Sequence, residues 1–168
     1  MLEDDVIEAV LRLSAATAAG MAIGLNRDLA DKPMGMRTLG LVSLGSALAT
    51  LATTNFGVLD FPADAISRTI QGILTGVGFI GGGVILRDIG HRTVYGLTTA
   101  ATVWIAAALG VTCGLGAWRI ALAASAITLV LLVLGGPVER LVHLLRTGEA
   151  LEAEDGDKAP PKRDHMTR

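Results

Sequence analysis

The sequence predicts an all-α fold: a polytopic membrane bundle of about five transmembrane helices, amino terminus outside and carboxyl terminus cytoplasmic. Three observations predict it. Hydrophobic residues make up 51% of the chain and charged residues 18%, with the charge gathered at the ends and in short loops. Five long apolar runs remain between those loops, and runs of about 18 or more apolar residues are long enough to cross a bilayer. Loops 27–37 and 87–92 and the segment after Pro137 hold Arg and Lys, whereas the amino terminus, the 57–65 loop and the 113–116 turn hold none. Five spans place all three basic segments on one side, which the positive-inside rule makes cytoplasmic.

The first span is expected near Val6 to Leu25. The preceding MLEDD is acidic, unlike the basic start of a secretory signal, so this run is expected to be retained. Glu8 and Arg12 are spaced for a helical ion pair, and Gly20 and Gly24 offer a close-contact face. The loop NRDLADKPMGMR is basic and punctuated by Pro33 and Gly35. A second span follows, from about Arg37 to Phe56, and then an acidic loop with Asp60 and Asp64.

The third span, Arg68 to about Leu86 with Ser67 as its cap, contains the uncharged run GILTGVGFIGGGVIL. Six glycines in that run would weaken a water-soluble helix by roughly 1 kcal/mol each, but in a membrane they let neighbouring backbones approach. Gly72/Gly76 and Gly78/Gly82 have small-xxx-small spacing on different sides of the helix. This span is therefore expected to be the central hub, and Gly76→Leu is expected to disrupt packing. Arg68, Gln71 and Thr75 add a polar stripe that should face protein or a water-filled crevice.

After the basic loop RDIGHRT, a fourth span covers about Val94 to Cys113, and a fifth Ala117 to Leu134. All five prolines fall outside these spans. Residues 1–136 thus form the transmembrane domain. Beyond Gly135-Gly136-Pro137, residues 137–147 carry an apolar stripe suited to an interfacial amphipathic helix, and 148–168 read as a disordered cytoplasmic tail.

No catalytic residue is expected, because no histidine lies within a span to serve a nucleophile. Cys113 stands alone without metal-binding spacing, so neither a metal nor a cofactor is expected. A net charge of −2 leaves no basic field for nucleic acid. One constellation remains, on the expected inner face. Spans two and four both begin there, with free backbone N–H groups at their positive ends. Arg37 and Thr38 open the second span, and Thr98 and Thr99 lie one turn into the fourth. Arg27, Arg87 and Arg92 adjoin them. Together they suit an anion, either a lipid phosphate or an acidic group on a partner, although topology-setting charge would also account for the loop arginines. Against a cation pathway, Glu8 is the only acid within a span. The Gly81–Gly83 segment would have to unwind to present carbonyls.

The segments GMAIGLNRD (20–28), GMRTLGLVSLGSAL (35–48), SRTIQGILTGVGFIGGGVILR (67–87) and VYGLTTAATVWIAAALG (94–110) resemble the MgtC/SapB family of bacterial membrane proteins. The resemblance implies a five-span domain of the inner (plasma) membrane and a link to magnesium homeostasis. Asn26 stands where many members have Glu, Tyr95 where a basic residue often precedes GLTTAA, and Ala65 where an aspartate is usual. The ACT-like carboxyl-terminal domain of some members is expected to be absent. The expected function is therefore non-enzymatic: binding or regulating another membrane component. Membrane lipids, another membrane protein and a second copy of the chain are the candidate partners. The alternative is a divalent-cation (Mg2+) transporter or channel.

Overall fold

A computed structural model describes residues 2–54, 62, 64–88 and 93–157. The chain is helical, with elements α1 (Leu2–Leu29), α2 (Met36–Ala52), α3 (Ala65–Gly83), β1 (Leu86–Asp88), β2 (Thr93–Tyr95), α4 (Leu97–Gly114) and α5 (Trp118–Asp157). It divides into two compact units, Met1–Leu129 and Val130–Arg168. By length and composition, three stretches among the described residues suffice to cross a membrane: Asp5–Leu29, Leu97–Gly114 and Trp118–Glu139. Helix α2 is apolar but shorter.

In the first unit α1, α2 and α4 pack against one another, and glycines set how closely. A Cβ on Gly20 would lie 2.4 Å from the Leu39 carbonyl oxygen, and one on Gly24 would lie 2.4 Å from Met36 Cα. The pairings 20 with 39 and 24 with 36 make α1 and α2 antiparallel. Between α2 and α4, a Gly110 Cβ would meet the Ser43 carbonyl oxygen at 2.1 Å, and a Gly114 Cβ the Ala47 oxygen at 2.9 Å. Those pairings make α2 and α4 parallel, so both helices begin at the same end of the bundle. Ser43 sits in this seam, fully buried, and its hydroxyl donates to the Ala16 carbonyl at 2.7 Å.

The expected hub is not the observed one. Only Val77 and Gly81 of α3 are buried, whereas α4 buries ten residues. A Cβ on Gly72, Gly76, Gly78 or Gly82 would meet nothing within 4 Å among the described residues, so no described neighbour needs a glycine at any of these four positions. Helix α3 leans on α4 near Ala100 through Gly81. The physical reason is that small residues permit close approach without compelling it. Helix α4 presents Gly110 and Gly114 to α2, and its Thr99, Ala106 and Ala107 are buried as well. That combination makes α4 the centre.

Element ends also depart from expectation. Helix α3 begins at Ala65, three residues before Arg68, so Ser67 lies inside the helix and is not its cap. The glycine run ends the helix at Gly83. The Gly81 and Gly82 carbonyls accept from the Val84 and Ile85 N–H groups, so they are used in a closing turn and are not presented to a cation. The segment expected to be a plain loop holds an antiparallel ribbon, pairing Leu86 with Tyr95 and Asp88 with Thr93. β-branched and aromatic residues at 93–95 favour extended backbone there. Gly96 (φ 89°) then turns the chain into α4, within a space where a Cβ would lie 2.0 Å from the Val84 oxygen. The Gly135-Gly136-Pro137 break is absent as well: α5 continues through Pro137 to Asp157. Proline removes one backbone hydrogen bond, and the helix continues across it although Gly135 and Gly136 before it are themselves weak helix formers. Residues 158–168 of the expected tail lie outside the described residues.

Candidate functional site

The last turn of α1 joins the starts of α2 and α4 through two adjacent side chains. Asp28 reaches α2: its Oδ2 accepts from the Met36 backbone N–H at 2.9 Å. A carboxylate there complements the positive end of a helix and satisfies one of its free N–H groups. The fit leaves no room at Gly35, where a Cβ would lie 1.7 Å from Asp28 Oδ1. The intervening turn is tight, with Asp31 (φ 50°) and Met34 (φ 65°) in the left-handed region and the Lys32 N–H donating to the Arg27 carbonyl. One of the free N–H groups at the start of α2 is thus satisfied by the chain's own carboxylate.

Arg27 turns the other way. It is 5% exposed, and its Nη2 donates to the Thr99 hydroxyl on α4. Thr102 Oγ1 in turn donates to the Thr99 carbonyl at 2.7 Å. The Arg27 Nε is buried without a hydrogen-bond partner among the described residues. Gly96, the residue before α4, offers no side chain to cap it, and its carbonyl accepts from the Ala100 N–H at the helix start. A buried guanidinium therefore lies beside a helix start, held by one hydroxyl.

Arg37 and Thr38 stand elsewhere. Both are exposed on the first turn of α2, at one end of a groove of about 700 Å³ between α2 and α3. Leu41, Gly45 and Ser46 form one wall, and Gly72, Gly76 and Ile80 are on the other. Ser46 turns its hydroxyl to its own helix, donating to the Val42 carbonyl at 2.8 Å, so beyond Thr38 at the Arg37 end this wall is effectively apolar. Among the described residues Arg37 is the only charged side chain of the lining. Among the described residues, neither a hydrogen bond nor an ion pair links it to Arg27, Thr98 or Thr99.

The expected inner-face cluster is therefore only partly assembled. Arg27 and Thr99 meet, Arg37 and Thr38 border the groove, and Thr98 is exposed. Arg87 lies in β1, its backbone paired opposite Val94, and Arg92 lies outside the described residues. The stripe Arg68, Gln71 and Thr75 is exposed on α3. Arg68 pairs with Asp64, and Thr75 donates to the Gln71 carbonyl at 2.7 Å. Glu8 and Arg12 form the expected pair at 2.9 Å, and Arg12 also donates to the Gly114 carbonyl at 3.0 Å, capping the end of α4. Among the described residues no three of His, Cys, Asp and Glu come together as a metal site.

Sequence reasoning missed Asp28, Gly45 and the Gly110/Gly114 pair. The small-xxx-small spacing of Gly110 and Gly114 was a usable signal. Asp28 gave none, since its partner lies across a turn whose path only the fold defines.

Comparison with known proteins places this architecture. No solved structure matches the chain. Protein SrpB of Synechococcus elongatus is 42% identical over 158 residues, covering 89% of this chain and 87% of its own. Protein MgtC of Salmonella typhimurium is 40% identical over 120 residues, 71% of this chain but only 49% of its own length. YhiD of Escherichia coli, provisionally named a magnesium transporter, is 38% identical over 130 residues, 74% of this chain and 59% of its own. The chain thus spans about half the length of the Salmonella relative. The sequence profile of the MgtC family matches residues 13–141, and this membrane protein belongs to that family.

Proposed function

We propose that this chain is a multi-pass protein of the bacterial inner membrane that acts by binding or regulating another membrane component, in a role tied to magnesium homeostasis. Its five helices all cross the bilayer, and α2 and α4 begin at the cytoplasmic face. The observation that carries this reading is the α2–α3 groove, whose walls are largely apolar and whose one charge among the described residues is the cation Arg37. Such a surface suits an apolar partner with an anionic group. Magnesium asks instead for oxygen ligands, commonly one or two carboxylates with retained waters, and among the described residues the groove lining contains no Asp or Glu.

Divalent-cation transport is the second reading. It is favoured by the name given to YhiD and by the exposed polar side chains Arg68, Gln71 and Thr75. Magnesium flux into proteoliposomes separates the two readings. Folded protein is expected to give no saturable flux above empty vesicles. Saturable flux that changes in Arg68→Ala would make the chain a transporter.

A further inference from the structure

The α2–α3 groove has the dimensions and charge of a lipid site. Along α2 it runs from Arg37 to Ser46, and at ~1.5 Å of rise per residue that is about 14 Å. The hydrocarbon core of a bilayer is about 30 Å thick, so the groove is about one leaflet deep. A helix from a second protein would run the full thickness and find a groove for only half of it. A single phospholipid fits the length: acyl chain along the walls, headgroup at the end where Arg37 stands.

The glycines support the same occupant. Gly45 on α2 and Gly72 and Gly76 on α3 have no atom within 4 Å of a Cβ position, so internal packing does not require them. Any larger residue at these positions would project into open space and fill the groove. Leu41 is 68% exposed and Ile80 41% exposed, a large apolar surface left uncovered in a slot beside a cation. Arg37 forms no ion pair among the described residues, so its charge is available to a phosphate.

We infer that the groove between α2 and α3 holds one anionic phospholipid, its acyl chain against Gly45, Gly72 and Gly76 and its phosphate on Arg37. This deepens the proposed binding role, and it rests on that reading only for the leaflet, which would be the cytoplasmic one.

The test is native mass spectrometry of the full chain in mild detergent, titrated with phosphatidylglycerol or phosphatidylcholine. The wild type is expected to retain one phosphatidylglycerol, preferred roughly fivefold over phosphatidylcholine, the size of one arginine's attraction to an anionic lipid. Arg37→Gln should bring the two lipids to equal occupancy. Gly76→Leu should abolish retention of both while circular dichroism keeps the same helix content. Gly45→Leu fills the opposite wall and should do the same, which guards against misfolding of either variant alone. Equal retention of the two lipids by the wild type, or wild-type retention in both leucine variants, would overturn the assignment. So would spontaneous disulfide dimers of Gly76→Cys in a Cys113→Ser background, which would put a second copy in the groove. Magnesium flux with lipid retention intact would overturn the proposed function and leave the groove's occupant standing.

Discussion

Arg27 and Asp28 are sequence neighbours that serve different helices, and the energetics of the two contacts differ. Asp28 makes a charge-complementary contact at a helix start, where losing a capping side chain typically costs about 1 kcal/mol. Asp28→Ala should lower stability by that amount in thermal unfolding, with Asp28→Asn keeping most of it. Arg27 is a buried cation with one hydroxyl partner and an unbonded Nε. Taking away that partner strands the charge, so Thr99→Val should cost ~1–3 kcal/mol. Arg27→Met removes the charge along with its need for a partner. Stability within about 1 kcal/mol of wild type is expected, since apolar replacements of buried charges are often neutral or better. A large loss in Arg27→Met would instead mean that the guanidinium itself is required.

At the scale of the element, identical spacing has opposite consequences. Gly20/Gly24 and Gly110/Gly114 are clasped by backbone, while Gly72/Gly76 and Gly78/Gly82 face open space. Alanine substitutions should therefore change sign between helices. Gly110→Ala forces α2 and α4 apart and should destabilise by ~1–3 kcal/mol, as overpacking does. Gly76→Ala meets nothing and should be neutral or stabilise by up to ~1 kcal/mol through helix propensity. Chemical unfolding in detergent micelles measures both. If both substitutions destabilised equally, α3 would be packed from outside by another component. The spacing of small residues was legible in the chain, but which faces find a neighbour was not, because that depends on how the other helices are directed.

For the whole molecule, the parallel packing of α2 and α4 requires that the chain return between them, and α3 with its ribbon provides the return. Five spans would then put the amino terminus and the α1–α2 turn on opposite sides of the membrane. In a Cys113→Ser background, Asp5→Cys should react with an impermeant thiol reagent in intact cells. Asp31→Cys should react only after permeabilisation. Labelling of both from one side would rule out that topology.

Hydrophobic runs, charge alternation and motif order determined the class of this protein, its helices and its family, because these follow from transfer free energy and local propensity along the chain. The Glu8–Arg12 pair was legible for the same reason: four residues on one helix are neighbours in any fold. Tertiary structure alone decided that α4 and not α3 is central, that Asp28 occupies the start of α2, and that Arg37 stands at the mouth of a groove apart from Arg27. Each of these depends on residues distant in sequence meeting across helix interfaces. Their meeting is set by which close approaches the whole bundle can satisfy at once, a condition no single segment contains.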